Sequence, residues 1–306
     1  SKRCLAPLIM EYLPGKCGRL VEPFAGSAAL SIACAAWGRS AKFWLNDYNG
    51  PLADLLLSII EEPEETAESY RNIWRGHNKS ATEHYYNIRS KFNRTSDPKF
   101  LLYLLARCVK GSVRYNSDGL FNQSPDNRRL GTRPDTVREN LLAVSTLLKG
   151  KTTVTALDYR DVLVQTNSDD VVYMDPPYQG VCGDRDVRYL KGVAFSEFVA
   201  TLEELNRRRI RFAISYDGRL GARTYGQPLP ESLDLTLIEL EAGRSTQATL
   251  LGRDDVTYES LYLSAPLAKE IGAKPRIHAR PASSQLFMME GREPYGKVSK
   301  RVSRAL

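Results

Sequence analysis

The residues best suited to chemistry form the tetrapeptide Asp175-Pro176-Pro177-Tyr178, which directly follows the apolar stretch Val171 to Met174. Consecutive prolines fix the backbone and remove two N–H donors, so the turn presents a carboxylate, bare carbonyl oxygens and an aromatic ring. Such acceptors suit an exocyclic aromatic amine, because hydrogen bonds from its N–H groups localise a lone pair that is otherwise delocalised into the ring. We therefore predict all four as catalytic residues, with Tyr178 stacked on a base that has left its duplex. The plainer alternative is a Pro-Pro surface turn after a buried strand.

A second motif, Glu22-Pro23-Phe24-Ala25-Gly26-Ser27, ends another predicted strand and precedes the helical stretch Ala28 to Trp37. Gly26 would let the backbone approach a ligand closely, and the chain has no GxGxxG of the ordinary dinucleotide sites. Asp47 ends the next strand, where it suits ribose hydroxyls, and Asp158-Tyr159 ends a third, where it could hold an adenine ring. One acidic strand end is commonly only a loop cap. Motifs of this kind follow four successive predicted strands, and this recurrence indicates a nucleoside site.

The elements that must position these residues follow a β-α rhythm that is interrupted once. We predict strands at 19–24, 42–46, 152–157, 171–174, 211–216, 233–240 and 258–263, and helices at 28–37, 51–60, 83–92, 100–108, 134–148 and 195–206. The fold class is therefore α/β: a doubly wound, Rossmann-like sheet with helices on both faces, plus an inserted and mostly helical module. The predicted domains are residues 1–62 with 151–264 for the sheet, 63–150 for the insertion, and 265–306 for a basic tail without clear periodicity.

Within the insertion, the stretch Arg114 to Asn122 has an Asn-Ser-Asp-Gly centre between aromatic flanks, which predicts an exposed β-hairpin. Charge is concentrated in the same region. The net charge is +7, and residues 63–150 carry 15 basic and 9 acidic side chains, residues 269–306 carry 9 and 3, and residues 151–268 carry 13 and 18. This distribution indicates a core with two appendages that contact a polyanion, although a solvated, disordered tail would show the same bias.

Taken together, these motifs resemble the Dam-like family of DNA adenine methyltransferases, class alpha, in which Phe-x-Gly, a target-recognition region and Asp-Pro-Pro-Tyr occur in that order. The resemblance covers roughly residues 1–264 and includes Arg114-Tyr115-Asn116, Phe121-Asn122 and Gly243-Arg244-Ser245. It implies transfer of a methyl group from S-adenosylmethionine to N6 of adenine in double-stranded DNA, with base flipping, S-adenosylhomocysteine as product and no metal. Ser27-Ala28 departs from relatives with a second glycine, and the tail has no counterpart in the family.

The resemblance also implies roles for individual residues. Ser1-Lys2 resembles the end of the family's Gly-Gly-Lys or Gly-Ser-Lys opening, whose lysine lies near the cofactor. The predicted cofactor-binding residues are Lys2, Glu22, Pro23, Phe24, Ala25, Gly26, Ser27, Asp47, Asp158, Tyr159 and Asp175. The predicted DNA-binding residues are Lys110, Ser112, Arg114, Asn116, Asn122, Gln123, Arg128 and Arg129.

Three alternatives share parts of this pattern: a methyltransferase acting on RNA or on the cytosine N4 amine, a catalytically silent S-adenosylmethionine-binding regulator, and a plain nucleic-acid-binding protein.

Five scattered cysteines without a CxxC pair argue against zinc and a disulfide framework. No apolar run or leader suggests a membrane span or secretion, so we expect a cytoplasmic, nucleoid-associated protein of bacterial or phage type. A cognate restriction endonuclease is a possible partner that the sequence does not reveal. Since the chain opens at Ser1, we expect a short natural N-terminal piece to precede it.

Overall fold

One nine-stranded sheet organises the chain in the computed structural model, which describes residues 2–76, 80–128, 130–177, 193–220, 223–225, 227–244, 256–274 and 276–278. The strands are β1 (Cys17–Glu22), β2 (Ser40–Asn46), β3 (Thr152–Thr155), β4 (Asp170–Met174), β5 (Arg211–Leu220), β6 (Arg223–Tyr225), β7 (Thr236–Arg244), β8 (Val256–Leu263) and β9 (Arg276–His278). Their order is β3-β2-β1-β4-β5-β8-β7-β9, with β6 paired to β5. The first five strands in this order are parallel, whereas β8 runs antiparallel to both of its neighbours.

The helices fall into those that flank the sheet and those of the insertion. They are α1 (Ala6–Met10), α2 (Ala29–Ala36), α3 (Gly50–Glu61), α4 (Pro63–Arg75), α5 (Ala81–Thr95), α6 (Pro98–Arg107), α7 (Pro134–Leu148), α8 (Tyr159–Val164), α9 (Phe195–Arg207) and α10 (Ala265–Ile271). Several begin with proline in the first turn, where the missing N–H costs no hydrogen bond. Polar side chains cap others: Ser80 accepts from Glu83 N–H before α5, and Asp97 accepts from Lys99 N–H before α6.

Buried side chains pack on both faces of the sheet, because successive strand residues point to opposite sides. On one face Leu20, Phe43 and Leu45 pack with α1, α2, α7 and α10, and on the other Val21 and Trp44 pack with α8 and α9. This arrangement confirms the predicted Rossmann-like α/β class. Helices α4, α5 and α6 enclose a further apolar cluster around Tyr70, Tyr85 and Phe92, to which α3 and α7 contribute Leu55, Val137 and Leu141.

Two local predictions need correction. We assigned residues 265–306 to a tail without clear periodicity, whereas α10 follows Ser264 directly and buries Leu267 and Ala268 against the sheet. Seven residues with one proline at the start are too few for a periodic signal, and tertiary packing decides them. The predicted hairpin is held by a single isolated bridge, Tyr115 with Phe121, rather than by two strands. Asn116 N–H donates to Leu120 O across the turn, and Asn122 N–H donates to Arg114 O at its base.

Candidate active site

The predicted site residues converge where the strand order of the sheet reverses. Strand β1 lies between β2 and β4, so connections leave the sheet in opposite directions on either side of it. Ligands of doubly wound sheets bind beyond the carboxyl ends of the strands at such a switch point. The segments that follow β1, β2, β3 and β4 carry Gly26, Asp47, Asp158 and Asp175 in turn, and the parallel register brings these strand ends to one edge.

Asn46, the last residue of β2, ties three of these segments together. Its side chain is fully buried, and its Nδ2 donates to Pro23 O and to Leu157 O, both at 3.0 Å. Its Oδ1 accepts from Thr155 Oγ1 at 2.7 Å and from Leu157 N–H at 2.8 Å. One amide therefore sets the starts of the loops after β1 and β3 relative to β2, although we did not predict this role from the sequence. A polar residue at the buried end of an apolar strand was the available signal.

The loop after β1 is fastened to Asp47. Gly26 N–H donates to Asp47 Oδ2 at 3.0 Å, and Asn49 N–H donates to Oδ1 at 2.9 Å. Burial raises the pKa of Asp47, and these two N–H groups partly oppose the shift. Gly26 has a φ of +52°, and a Cβ built on it would meet no atom within 4 Å, so the backbone there faces open space. Glycine thus supplies a left-handed turn beside an open cleft.

Glu22 lies deeper, beneath the start of α2. It is buried, and its Oε1 accepts from Ser31 N–H at 2.8 Å. Burial raises its pKa to about 7, and the negative charge of Asp175 adds to the shift. Ala28, which precedes α2, takes the left-handed conformation with a φ of +51°. This is the position where the family resemblance implied a glycine. Ser27 beside it is exposed, and Ala25 N–H donates to Asn46 O at 2.7 Å.

Asp175 stands at the end of β4 with Lys2 beside it. The Lys2 Nζ lies 3.3 Å from Asp175 Oδ1 and also contacts the Glu259 carboxylate on β8. Burial lowers the pKa of Lys2, and the attraction of Asp175 opposes this shift. Glu259 was not among the predicted residues. A carboxylate in the middle of strand β8 was the signal, since a charge with little exposure to solvent requires a partner.

An apolar pocket adjoins Asp175. It is lined by Pro176, Pro177, Val193, Phe195, Phe198 and Tyr216. Tyr159 is buried behind it, with ring centroids 5.1 Å from Phe24 and 6.1 Å from Phe198. Prolines and aromatic rings of this kind provide flat surfaces for a planar ligand. The fourth predicted catalytic residue, Tyr178, lies outside the described residues.

Asp158 has a structural task at the end of β3. It is the N-cap of α8, and its carboxylate accepts from Arg160 N–H at 3.1 Å and from the Arg160 guanidinium at 2.9 and 3.2 Å. The plain loop-cap interpretation therefore describes its present contacts. Its predicted contact with a cofactor ring stays a prediction.

The predicted DNA-binding residues cluster around the hairpin, defined here as residues 112–123. Ser112 Oγ accepts from Gln123 Nε2 at 2.7 Å across its base, Arg114 is half-buried and Asn122 is exposed. Asn116 instead shapes the turn, because its Oδ1 accepts from the N–H groups of Asp118 and Leu120.

Two of the remaining members of that set, Lys110 and Arg128, lie close to the hairpin in the chain. Lys110 belongs to a short 3-10 helix, Val109–Gly111. Arg128 is exposed and pairs with buried Asp126, with Nε 3.1 Å from Oδ1. Arg129 lies outside the described residues. Across the described ranges, no three His, Cys, Asp or Glu side chains group to hold a metal, and no helix is long and apolar enough to cross a bilayer.

Comparisons with known proteins agree with this arrangement. The chain is 28% identical over 186 residues to a protein from Escherichia coli named retron Ec67 DNA adenine methylase. That alignment covers 59% of this chain and 61% of the relative. It is 27% identical over 188 residues to the type II methyltransferase M1.LlaDCHI from Lactococcus lactis subsp. cremoris, covering 58% and 63%. It is 30% identical over 185 residues to the DNA adenine methylase of Serratia marcescens, covering 58% and 64%. The chain thus spans about three fifths of the length of the curated relatives it matches.

Among solved structures, an rRNA methyltransferase, aviRa from Streptomyces viridochromogenes, aligns over 87% of this chain and 86% of its own at 16% identity. Its TM-score is only 0.32, and nothing about function follows from a superposition of that quality. The decisive comparison is a family model described as D12 class N6 adenine-specific DNA methyltransferase, which matches residues 1–245. This match spans strands β1 to β7, the insertion and all the strand-end motifs described above. The chain therefore belongs to the D12 class of N6 adenine-specific DNA methyltransferases.

Proposed function

We propose that this protein transfers a methyl group from S-adenosylmethionine to the exocyclic N6 of adenine in double-stranded DNA, acting on a base flipped out of the duplex. The observation that carries the proposal is the position of Asp175. Its carboxylate stands at the end of β4, at the switch point of the sheet, next to the Pro176-Pro177 turn and its apolar pocket.

The cleft suits the nucleoside and the charge of the cofactor. The backbone at Gly26 faces open space, and each Asp47 oxygen accepts one N–H and has a lone pair left for a ribose hydroxyl. Asp47, Asp175 and Glu259 are acidic, with Lys2 as a cation held between two of them. An excess of carboxylates favours a cationic sulfonium ligand. When bound, S-adenosylmethionine supplies an electrophilic methyl group.

The residues of the chain then act on the amine. The Asp175 carboxylate accepts a hydrogen bond from one N6–H, and the Pro176 carbonyl accepts from the other, so the nitrogen lone pair turns away from the adenine ring. The bond between N6 and the methyl carbon would form as the carbon–sulfur bond breaks, S-adenosylhomocysteine would leave, and the proton released by N6 would pass to the solvent. The Lys2 ammonium, 3.3 Å from Asp175 Oδ1, holds this carboxylate in position beside the amine. Most of the rate enhancement comes from positioning, because no covalent intermediate is required.

The insertion supplies the DNA contacts in this proposal. Its hairpin carries Arg114 and the Ser112–Gln123 pair, and the segment 63–150 carries a basic excess of 15 to 9. Domain limits of 1–62 with 151–264 and of 63–150 remain part of the proposal, with the sheet domain extended by α10 and β9. One relative is named a type II methyltransferase, which supports a cognate restriction endonuclease as a partner. A DNA substrate in turn favours a cytoplasmic, nucleoid-associated site of action.

The test separates chemistry from cofactor binding. The wild type is incubated with labelled S-adenosylmethionine and either genomic DNA or matched RNA, and the modified base is identified by sequencing and mass spectrometry. Asp175→Ala should abolish methyl transfer with little change in cofactor Kd, whereas Asp47→Ala should mainly weaken cofactor binding, because the ribose loses its acceptor. Asp161→Ala, at an exposed position on α8, is the matched control and should change neither.

Three outcomes would change these assignments. Label in RNA, or on N4 of cytosine, would replace the proposed substrate. Equal loss of binding and turnover in Asp175→Ala would move that residue from catalysis to cofactor binding. An unchanged cofactor Kd in Asp47→Ala would remove the ribose assignment.

A further inference from the structure

The hairpin is anchored firmly on the side of the insertion. Phe121 is buried in the helical core and packs edge-on against Phe92, with ring centroids 5.8 Å apart. The Asn93 amide brackets its backbone: Oδ1 accepts from Phe121 N–H at 2.8 Å, and Nδ2 donates to Phe121 O at 3.2 Å. One end of the hairpin therefore cannot move without disturbing the core of the insertion.

The opposite side of the hairpin is fastened to the sheet domain. The Tyr115 hydroxyl donates to Asn49 Oδ1 at 3.1 Å, and the backbone N–H of Asn49 donates to Asp47 Oδ1 at 2.9 Å. Asp47 Oδ2 in turn accepts from Gly26 N–H at 3.0 Å. Asn49 is buried and Tyr115 half-buried, so water has little access to the link. Three hydrogen bonds thus run from the hairpin to the backbone of the loop after β1.

We propose that Tyr115 is a positioning residue that couples the reading of the DNA sequence to the binding of the cofactor. The inference rests on the proposed function, since it takes the hairpin as the DNA reader and the Gly26–Asp47 loops as the cofactor site. Arg114, one of the predicted DNA-binding residues and the one that we take to contact a base, directly precedes Tyr115 in the chain. When Arg114 engages its base, the position of the adjoining hydroxyl is restricted, and with it Asn49, Asp47 and Gly26.

Coupling between two sites is reciprocal in binding free energy, so the cognate duplex should tighten cofactor binding by the same factor by which the cofactor tightens DNA binding. A link made by a single hydroxyl predicts that this factor depends on one oxygen atom. A purely structural role of Tyr115 would instead change stability or both affinities together. The coupling factor is therefore the readout that separates the two roles.

The experiment uses the full chain, S-adenosylhomocysteine as the probe, and a duplex that contains the mapped methylation motif. Calorimetry gives the Kd of S-adenosylhomocysteine with and without this duplex, and the ratio of the two is the coupling factor. We expect a factor of about 5 or more for the wild type, at the lower end of the range for coupled sites. In Tyr115→Phe it should fall to within twofold of unity, while the Kd without DNA changes less than about twofold, since phenylalanine keeps the packing of the ring.

Two further variants control the result. Tyr70→Phe removes a comparable hydroxyl, which donates to Thr132 O at 2.5 Å inside the insertion, and should leave the coupling factor unchanged. Asn49→Ala should lower the factor like Tyr115→Phe, and the double variant should lower it no further, because both remove the same link. Thermal unfolding of every variant verifies that the fold is retained.

The outcomes distinguish this inference from the proposed function. A wild type that methylates adenine in DNA but binds S-adenosylhomocysteine equally with and without the duplex overturns the inference alone. The same holds if Tyr115→Phe retains the wild-type factor, or if the effects of Tyr115→Phe and Asn49→Ala simply add. A wild type that methylates no DNA overturns the proposed function and the inference with it.

Discussion

Replacing Asn46 by alanine should damage both the stability and the cofactor site of this protein. The side chain makes four hydrogen bonds in a fully buried position, to Pro23 O, Leu157 O, Leu157 N–H and Thr155 Oγ1. Alanine leaves all four groups without this partner. Pro23 O is buried and the other three groups are partly buried, so at roughly 0.5–1 kcal/mol for each lost hydrogen bond Asn46→Ala should lower the free energy of unfolding by about 2–4 kcal/mol. Such a loss is at the upper end for a single substitution.

The same substitution should weaken cofactor binding, because the Asn46 amide holds the first residues of two loops that carry predicted cofactor contacts. Pro23 precedes Gly26, and Leu157 precedes Asp158. We expect the Kd of S-adenosylhomocysteine to rise at least about tenfold in the folded variant, which corresponds to about 1.4 kcal/mol. Urea denaturation followed by circular dichroism measures the first effect, and calorimetry measures the second below the unfolding transition.

Thr155→Val provides the matched control. It removes one donor to Asn46 Oδ1 and the acceptor of Trp44 Nε1, while the bonds of the Asn46 amide nitrogen remain. We expect a loss of about 1–2 kcal/mol and a nearly unchanged cofactor Kd. A loss below about 1 kcal/mol for Asn46→Ala, or a cofactor Kd no different from that of Thr155→Val, would refute the reasoning that this amide organises the loops.

Three other predictions address charge. Burial raises the pKa of Glu22 from 4.5 to about 7, so the unfolded chain releases this proton at lower pH and stability is lost as pH rises through that interval. Glu22→Gln should remove this loss, and its free energy of unfolding should exceed that of the wild type by up to about 3 kcal/mol between about pH 5 and about pH 8. A gain in stability that does not depend on pH would contradict this prediction. Arg114→Ala should relax the methylated motif at one guanine position, because a bidentate arginine–guanine pair contributes about 1–3 kcal/mol of discrimination between bases. An unchanged motif with weaker methylation at all sites would indicate a phosphate contact instead. Residues 279–306 hold six basic and two acidic side chains, so their deletion should weaken binding to all duplexes. The slope of log K against log salt concentration should become shallower by roughly 0.9 for each phosphate that is no longer neutralised. Unaltered affinity and slope would show that these residues do not bind the target.

Local patterns were enough to predict the class of fold and the gathering of the strand-end motifs at one edge of the sheet. Strands and helices are indicated by the period of their apolar residues, and β1, β2, β4 and β5 fall close to their predicted positions. Strand-end motifs such as Asp175-Pro176-Pro177 could be placed together for the same reason, since parallel strands end at one edge. The family resemblance was confirmed by the match over residues 1–245.

Partners distant in the chain were not predictable in this way. Lys2 meets Asp175 and Glu259, and Tyr115 meets Asn49, across separations that no local period records. The short helix α10 also depends on distant residues, because its Leu267 packs against the sheet.

The sequence by itself determined which side chains with useful chemistry follow which strands, because hydrophobic periodicity and turn residues act over a few positions. Only the tertiary structure decided what each polar side chain does there. Asn46 holds two loops together, Asn116 forms part of a turn and Asp158 caps a helix, whereas Asp175 lies against a largely buried lysine. The physical reason is that a buried polar group must find a hydrogen-bonding or charged partner, and folding alone determines which partners come within reach.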